Sequence, residues 1–594
     1  MRRKKEIEIT SYIPNKYQEK IYDWVIHGSG NLVIEAAAGA GKTTTIINAM
    51  NLIDKDKKIL FCAFNKDIVT ELKKKVGDDH PNIDIKTVHS LGLSLLQRNF
   101  PTNKFCPPNL TKYYSYIATN LSDIASFDLR VIGGKINRYK GNLILLTDYC
   151  RYNLAQTKED AEMLAEKHGL EIVADECEAV YKVLEWGKNN LDSIDYTDMI
   201  WLPNVLYLGQ MGLRYDYIMI DEAQDISIAQ REFILKCTKL GTRIISCGDK
   251  NQTLYSFLSA DRKSFEVLQS LPNTITLPLS ISYRCPKNIV NFARKIVPRI
   301  EWNEENKIDG EIEYNSSLDE IQDGDMVLCR NNAPLMKVYT ELVNSGKNCF
   351  IRGKDIGKNL IKVVENTKQK ELNKSLLKDG VFARLYNDLF ETRDKIMVEQ
   401  GVDEDAAMFA PIIQSKLDSI RALELISCDV ENDTDKLIEK LNTIFVDKGK
   451  TKKGIAISTI HKAKGLEADN VYIACRSLMP SKSAKKDWEI EQEKNIMYVA
   501  YTRAKKKLSF LSEDEFKDMV EIKTQNLARI ENQINKVLGK SRQNIITSST
   551  DYKKSVLTTP TYKIRSKEDI QKNLLNNGSL FGLRFNKKQV FHGK

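Results

Sequence analysis

The sequence predicts an α/β fold with two parallel-sheet domains, each interrupted by a mainly helical insertion. Short apolar runs that end in small, polar or acidic residues recur in two series, and each run is followed by a helix-like pattern. This alternation is typical of a parallel sheet with helices on both faces, whose ligands bind at the carboxyl ends of the strands. The first series comprises residues 31–36, 58–65, 215–225 and 242–249, and the second comprises residues 325–332, 454–465 and 470–477.

The spacing within each series indicates where the insertions lie. Far more residues separate Lys42 from Asp221 than one α/β domain needs between these positions, and much of the intervening chain has helical periodicity. A second polar, helical stretch interrupts the later series. We therefore predict an N-terminal domain at 1–91 and 196–275 with a helical insertion at 92–195, a C-terminal domain at 276–359 and 450–520 with a helical insertion at 360–449, and a helix with a basic tail at 521–594.

The composition places the chain among ordinary globular proteins. Of its 594 residues, 42% are hydrophobic and 29% are charged, which is enough apolar material for a sizeable core. The 11 cysteines are scattered without a C-x-x-C pair, so neither a disulfide framework nor a zinc site is expected. The basic start, MRRKKEIEIT, is not followed by an apolar stretch, and no apolar run reaches the ~20 residues of a membrane span. We therefore expect a soluble, cytoplasmic protein without a membrane partner.

The segment EAAAGAGKTTTI, residues 35–46, predicts a phosphate-binding loop between a strand and a helix. Gly39 and Gly41 let the backbone turn and point N–H groups at phosphate oxygens. Lys42 supplies a cation for the outer phosphates, and the Thr43 hydroxyl can bind Mg²⁺. The first position is Ala36 where the usual pattern has glycine, and alanine fits there if its φ is negative. The predicted nucleotide-binding loop comprises Ala36, Ala37, Ala38, Gly39, Ala40, Gly41, Lys42, Thr43 and Thr44.

A kinase, a switch GTPase and a DNA motor could each use such a loop, and two adjacent carboxylates favour a hydrolase. The apolar run in YIMIDEAQD places Asp221 and Glu222 at the carboxyl end of a strand. Asp221 can hold Mg²⁺, and Glu222 can orient and deprotonate an attacking water. The alternative for this motif alone is a solvated acidic turn. A kinase for a small molecule needs no second carboxylate.

Further downstream, CGDKNQTLYSF and two arginines supply groups for the γ-phosphate and for bases. Gln252 can sense the γ-phosphate, while Tyr255 and Phe257 can either stack on bases or belong to a core. Arg284 in SISYRCP and Arg503 in YVAYTRAKKK could each be an ordinary surface arginine. If the two α/β domains face each other, both could reach the phosphates as arginine fingers.

Taken in order, these motifs resemble the superfamily 1 DNA helicases of the UvrD/Rep/PcrA type. The resemblance spans about residues 13 to 510, and its motifs follow one another at separations similar to those of the family. They are NKYQEK, AAAGAGKTTT, ILFCAFNKDIVTEL, TVHSLG, IDEAQD, GDKNQTLYSF, LSISYRCP, STIHKAKGLEADNVYI and EQEKNIMYVAYTRAKKKL. The form A-x-x-G-x-G-K-T is the one that this group uses, so Ala36 argues against the kinase and GTPase hypotheses.

The resemblance implies two RecA-like P-loop motor domains and an ATP-driven motor that moves 3′→5′ on single-stranded DNA and unwinds duplex ahead of it. ATP and Mg²⁺ are the implied ligands, and single-stranded DNA and its junctions with duplex are the implied partners. By motif, Gln18 would read the adenine edge, Tyr283 would stack on the adenine ring, and Glu467 would contact the ribose. The implied metal ligands are Thr43 and Asp221, and the implied catalytic residues are Glu222, Asp221, Gln252, Arg284 and Arg503. The implied DNA contacts are Phe64, His89, Tyr255, Phe257 and His461.

Several departures and alternatives accompany this resemblance. Where the family has a WRGA-like segment this chain has FLSA, so Leu258 occupies the position of an expected arginine. The second insertion is shorter than the larger accessory domain of the family. A translocase that strips proteins from DNA with little unwinding is nearly indistinguishable by sequence, whereas HKAKGLE and YVAYTRA favour the 3′→5′ branch over the 5′→3′ branch. A nucleotide-gated interaction module would not need the full hydrolytic set.

The carboxyl-terminal region combines a helix with a strongly basic tail. NLARIENQINKVLGK places Leu527, Ile530, Ile534 and Leu538 on one helix face, with Gly539 as the predicted stop. Residues 540–594 contain twelve Lys and Arg against three Asp and Glu, which is most of the +10 net charge of the chain. Interleaved aromatic residues make this tail suitable as a strap for DNA or for an acidic protein partner, and a solubilising tail is an equal alternative.

Overall fold

The computed structural model describes residues 13–63, 66–76, 81–101, 104–105, 112–208, 215–254, 263–446, 454–516 and 524–539. The strands are β1 Asn31–Ala36, β2 Ile59–Ala63, β3 Ile83–Thr87, β4 Lys104–Phe105, β5 Ser193–Ile194, β6 Tyr215–Ile220, β7 Thr238–Gly248, β8 Thr274–Leu279, β9 Ile281–Ser282, β10 Glu301–Trp302, β11 Glu311–Ser316, β12 Met326–Cys329, β13 Cys349–Arg352, β14 Phe445–Val446, β15 Ile455–Thr459, β16 Ala468–Ala474 and β17 Ala504–Leu511.

The helices of the first half are α1 Lys16–His27, α2 Lys42–Asn51, α3 Lys66–Val76, α4 Val88–Asn99, α5 Lys112–Thr119, α6 Leu121–Ile124, α7 Ile136–Asn153, α8 Lys158–Lys167, α9 Glu176–Asn189, α10 Asp198–Val205, α11 Ile228–Lys236 and α12 Ser264–Gln269. Those of the second half are α13 Lys287–Ala293, α14 Asn332–Asn344, α15 Lys354–Asn366, α16 Val381–Gln400, α17 Glu404–Met408, α18 Pro411–Ser427, α19 Thr434–Ile444, α20 Asp487–Tyr501 and α21 Thr524–Val537. No helix among these described residues has the length and apolar character needed to cross a membrane.

The first sheet has six strands in the order β3-β2-β6-β7-β1-β8, and all its strand pairs are parallel. Its central strands are apolar because helices cover both faces of the sheet. In this order β7 lies between β1 and β6, so the phosphate loop after β1 and the carboxylates after β6 end at the same edge. The boundary that we predicted at residue 275 falls inside β8, which belongs to this sheet.

The second sheet has seven strands in the order β11-β17-β16-β12-β15-β13-β14, again with parallel pairs throughout. The two sheets confirm the predicted α/β fold class with two RecA-like domains. Buried residues of both sheets form one continuous apolar core where the domains meet. That shared core includes Ile34 and Ile245 from the first sheet and Leu328, Val471 and Leu508 from the second.

Each sheet is interrupted by helices, as the spacing of the motifs predicts. Helices α5 to α9 form the first insertion, and the short parallel pair β4 and β5 brings its two ends together. Helices α16 to α19 form the second, against which the carboxyl-terminal helix α21 packs. The Arg393 guanidinium donates to Glu531 of α21 at 2.8 Å, and Leu527 and Ile534 of the predicted helix face are buried. Helix α21 ends two residues before Gly539, whose φ is 66°.

Candidate nucleotide-binding site

The phosphate loop turns tightly between β1 and α2. Gly39 and Gly41 have φ values of 71° and 77°, which only glycine adopts without strain. A side chain at position 39 would also place its Cβ 2.6 Å from the Cβ of Arg284, so glycine is required there by the close approach of the second domain. Ala36 ends β1 in extended backbone, consistent with the replacement of the usual glycine. The N-terminus of α2 begins at Lys42 and faces the site that we assign to phosphate.

Lys42 and Glu222 form the charged centre of the site. The Lys42 Nζ lies 3.0 Å from Glu222 Oε1, and both side chains are largely buried. Burial alone would lower the pKa of Lys42, but the carboxylates of Glu222, Asp249 and Asp221 outweigh it and raise this pKa. Burial likewise opposes ionisation of Glu222, yet Lys42 and Lys464 hold the pKa of this carboxyl well below its usual value. The Glu222 carboxylate is therefore ionised at neutral pH.

The Glu222 side chain is fixed by an unusual backbone conformation and by Gln224. Its φ of 50° and ψ of 44° lie in the left-handed region, where a residue with a Cβ is strained. The Gln224 Nε2 donates to Glu222 Oε2, and Gln224 Oε1 accepts from the Asp249 backbone N–H at 3.0 Å. Gln224 therefore ties the carboxylate after β6 to the residue that follows β7. Strain of this kind occurs at functional sites, where the surrounding contacts hold it in place.

A chain of polar contacts runs from Asp249 through Gln252 to Arg503. Gln252 Nε2 donates to Asp249 Oδ2 at 2.8 Å, and the Arg503 Nη2 lies 3.4 Å from Gln252 Oε1. Arg299 Nη2 donates to Asp249 Oδ1 at 2.9 Å. Arg503 is only 1% exposed, and this burial together with the charge of Arg284 lowers its pKa to about 9. The second domain thus supplies a desolvated guanidinium beside the predicted γ-phosphate sensor.

Arg284 reaches the same cleft from the segment after β9. Its Nε donates to Glu467 Oε2 at 2.7 Å, and Lys505 Nζ lies 3.0 Å from the other oxygen of this carboxylate. The adjacent Tyr283 donates its backbone N–H to the Gly39 carbonyl at 2.9 Å, and the residue is 42% exposed. An exposed ring beside the phosphate loop is able to stack on a planar base.

These groups surround one open cleft of about 640 Å³ between the two domains. This volume is within the range of small-molecule sites, about 300–1,000 Å³. Of the residues predicted from sequence, the structure brings together the glycine loop and four of the predicted catalytic residues, Glu222, Gln252, Arg284 and Arg503. The cleft is lined by Gly39, Ala40, Gly41, Lys42, Thr43, Thr44, Ile68, Glu222, Asp225, Gln252, Tyr283, Arg284, Lys464, Gly465, Glu467, Arg503 and Lys505.

Other predicted site residues lie outside the lining of this cleft. Asp221 is buried behind Glu222 and accepts a hydrogen bond from the Glu222 backbone N–H at 2.9 Å. Gln18 is buried, its Oε1 accepts from the Asn15 backbone N–H, and its Nε2 donates to Thr45 Oγ1 at 3.0 Å. Its predicted contact with adenine therefore requires the amide to give up or share these bonds, and it stays a prediction.

The predicted DNA-contact residues are only partly within the described residues. The His89 ring stacks on Tyr196 with 3.9 Å between ring centroids, and burial lowers its pKa to about 4. Burial, assisted by the charges of Arg330 and Lys462, lowers the pKa of His461 to about 3. Both histidines are therefore neutral at neutral pH. The predicted contacts Phe64, Tyr255 and Phe257 lie outside the described residues, and their roles stay predictions.

Sequence reasoning missed five residues that line the cleft, Ile68, Asp225, Lys464, Gly465 and Lys505, and two of them form an ion pair. Lys464 pairs with Asp225 and donates to the Gln252 carbonyl at 2.8 Å. The pair links the turn after β6 to the segment after β15, so it crosses between the two domains. Both residues stand inside motifs that the sequence already singles out, IDEAQD and HKAKGLE. A charged side chain within each of these two motifs is the signal that could have identified them.

Comparisons with known proteins agree with this geometry. Residues 16–272 match the UvrD/REP helicase N-terminal domain, and residues 358–515 match the UvrD-like helicase C-terminal domain. The ATP-dependent DNA helicase PcrA of Staphylococcus epidermidis is 25% identical over 609 positions, which cover 81% of this chain and 81% of the relative. PcrA of Staphylococcus aureus is 23% identical over 614 positions, which cover 81% of this chain and 80% of the relative.

A nucleotide cleft completed by arginines of a second, similar sheet defines the class of two-domain P-loop ATPases. The two matched domains, which include the phosphate loop at one end and Arg503 at the other, give the assignment within this class. The chain belongs to the UvrD/Rep/PcrA-type superfamily 1 helicases.

Proposed function

We propose that this ATP-dependent DNA helicase moves 3′→5′ along single-stranded DNA and unwinds the duplex ahead of it. The observation that carries the proposal is the meeting of Glu222 and Gln252 of the first domain with Arg284 and Arg503 of the second around one cleft. A γ-phosphate bound there would attract both guanidinium groups, and its release would remove that attraction. Hydrolysis would therefore change the separation of the domains, which is the motion a translocase needs.

The chemistry that we assign to the site begins with an exchange of partners at Lys42. Lys42 pairs with Glu222 and keeps its carboxylate ionised. Phosphate oxygens between them would draw Lys42 away, which raises the basicity of Glu222 and leaves it to orient and deprotonate a water. Gln252 and Arg503 would then stabilise the charge that develops on the transferred phosphoryl group.

The residues around the loop fit Mg²⁺, which we propose to be held by Thr43 and Asp221. Burial and the adjacent Glu222 raise the pKa of Asp221 to about 7, which marks an excess of negative charge that a cation would relieve. Hydroxyl and carboxylate oxygens are the ligands that Mg²⁺ prefers, and a nucleotide-bound Mg²⁺ needs only one or two from the protein. When bound with ATP, Mg²⁺ neutralises phosphate charge in the transition state.

Single-stranded DNA is the proposed track, with His89 and His461 among its contacts. Tyr196 is exposed and stacks on His89, so its ring offers an aromatic face on which an unpaired base can stack. Junctions between single-stranded and duplex DNA are the proposed sites of unwinding. A translocase that only strips bound proteins would share the cleft and the track, and tests with duplex substrates separate the two functions.

The first test is ATP turnover measured with and without single-stranded oligonucleotide. Because a motor couples hydrolysis to its track, we expect the rate of phosphate release to rise as oligonucleotide saturates the protein. A blunt duplex at the same nucleotide concentration is the control and should stimulate less. An unchanged rate with oligonucleotide would contradict the motor function, and it would favour the nucleotide-gated module.

Polarity is tested with partial duplexes that carry either a 3′ or a 5′ single-stranded tail. We expect strand separation from the 3′-tailed substrate, because the protein loads on the tail and moves towards its 5′ end into the duplex. Separation of the 5′-tailed substrate alone would overturn the assigned direction. If the protein displaced a bound protein block but separated the strands of neither substrate, we would conclude that it strips proteins from DNA and does not unwind duplex.

The basic tail, which lies outside the described residues, is proposed as an accessory contact for DNA or for an acidic protein partner. Each phosphate that a cation neutralises releases counterions, so the slope of log K against log salt reports the number of contacts. Deletion of residues 541–594 is expected to flatten this slope for single-stranded DNA. A full-length variant with Gln at every tail Lys and Arg is the matched control and should flatten it equally. An unchanged slope would indicate that the tail makes no contact with DNA and serves to keep the protein soluble.

A further inference from the structure

Helix α20 of the second domain contacts the phosphate loop directly through Tyr498. The Tyr498 hydroxyl accepts a hydrogen bond of 2.9 Å from the backbone N–H of Ala38, a residue 460 positions away in the sequence. Both residues are fully buried, so water cannot replace this bond. A buried N–H that lost its acceptor would carry the full cost of desolvation. The contact therefore fixes the distance between the helix and the loop at this point.

The same face of α20 also holds the segment that carries the predicted γ-phosphate sensor. Gln492 Nε2 donates to the Leu254 carbonyl at 3.2 Å, and Asn495 Nδ2 lies 3.5 Å from the Thr253 carbonyl. Residues 492, 495 and 498 are three apart, so they lie along one side of the helix. Since Gln252 immediately precedes the contacted carbonyls, α20 spans the first domain from the sensor to the phosphate loop.

The carboxyl end of α20 positions both arginines. The Tyr498 carbonyl accepts from the Thr502 backbone N–H at 3.1 Å and from Thr502 Oγ1 at 2.8 Å. The next carbonyl, that of Val499, accepts from Arg503 Nε at 2.9 Å. Arg284 Nη1 in turn donates to the Thr502 carbonyl at 3.3 Å. Any shift of Tyr498 is thus transmitted through one turn of backbone to both guanidinium groups.

We propose that Tyr498 is a positioning residue of the ATPase, whose hydroxyl sets the placement of Arg503 and Arg284 against the phosphate loop. The inference rests on the proposed function, because it assigns the arginines to the γ-phosphate. Tyr498 is not among the residues that line the cleft. Its hydroxyl anchors α20 at Ala38, and the backbone N–H of Tyr283 donates to the carbonyl of the next residue, Gly39. Two elements of the second domain therefore form hydrogen bonds with adjacent residues of the loop.

The test is the substitution Tyr498→Phe, which removes only the hydroxyl. We expect the kcat of DNA-stimulated ATP hydrolysis to fall about tenfold, because a misplaced guanidinium acts mainly in the transition state. The KM for ATP and the affinity for a single-stranded oligonucleotide should stay close to those of the wild type. Tyr501→Phe is the matched control, since Tyr501 lies on the same helix but packs its ring against Phe292 and Phe510. It should retain wild-type kcat.

A double-mutant cycle with Arg503→Lys shows whether Tyr498 acts through the arginine. If it does, Tyr498→Phe should add little to the loss of kcat already caused by Arg503→Lys. If the two residues acted independently, the fold-losses of the single variants would multiply in the double variant. Wild-type kcat in Tyr498→Phe would overturn the inference, provided that the wild type itself shows DNA-stimulated turnover. Absence of that turnover in the wild type would instead refute the proposed function. The inference would also be overturned if Tyr498→Phe were insoluble, or if its melting temperature fell by more than about 4 °C with a matching loss of ATP affinity. Either result would indicate that the hydroxyl has a structural role.

Discussion

Replacement of Glu222 by Gln is expected to lower the kcat of ATP hydrolysis by about 10²–10⁴-fold while ATP and DNA binding persist. The amide keeps the size of the side chain and can still accept from Gln224, but it cannot take a proton from water. Loss of the carboxylate also releases Lys42 from its ion pair, so this ammonium is more available to phosphate. ATP affinity should therefore be equal to or higher than that of the wild type. Phosphate release and the binding of a fluorescent ATP analogue, measured on the same preparation, check both parts.

Glu266→Gln provides the control for this substitution, since Glu266 is exposed on α12. It makes the same chemical change outside the cleft and should leave kcat unaltered. If Glu222→Gln hydrolysed ATP at the wild-type rate, the catalytic base would have to be another group. If it lost ATP binding as well, Glu222 would act in holding the loop and not in proton transfer.

Replacement of Arg503 by Met is expected to reduce kcat by about 10³–10⁵-fold, the range measured for arginine fingers. Burial and the neighbouring charge of Arg284 depress the pKa of Arg503, so its buried charge is incompletely compensated. At neutral pH the group remains protonated, because this pKa of about 9 lies above neutrality. Burying this charge therefore lowers the free energy of unfolding, and an apolar Met at the same position carries no such penalty. We expect the melting temperature of Arg503→Met to be unchanged or higher. Steady-state kinetics and thermal unfolding without nucleotide measure the two effects.

Arg529→Met is the matched control, because Arg529 is exposed on α21. It should preserve both kcat and melting temperature. A large loss of stability in Arg503→Met without a loss of kcat per folded molecule would reverse the assignment, and Arg503 would then be a structural residue. A rate reduced only through a higher KM would indicate that the guanidinium binds ATP equally in the ground and transition states.

Seven buried strands were predictable from sequence, whereas the interior strands β13 and β17 of the second sheet and the strands at the edges of both sheets were not. Strands β1, β2, β6 and β7, together with β12, β15 and β16, coincide with the apolar runs, since a parallel strand covered on both faces has little room for polar residues. In contrast, β3 and β8 lie at the edges of the first sheet and retain partly exposed polar positions. Their sequences therefore lack the continuous apolar signal, and the predicted boundary fell inside β8.

The sequence by itself determined the local motifs of the site, because the phosphate loop, the Asp221–Glu222 pair and their strands are each encoded within a dozen residues. Local spacing determines these motifs: two glycines permit the turn, and an apolar run delivers the acids to a strand end. Only the tertiary structure decided which distant groups meet. Gln252 and Arg503 are 251 residues apart, and Ala38 and Tyr498 are 460 apart. Such contacts depend on how two cores pack across the cleft, and no local pattern specifies the partner of a buried N–H or a buried guanidinium.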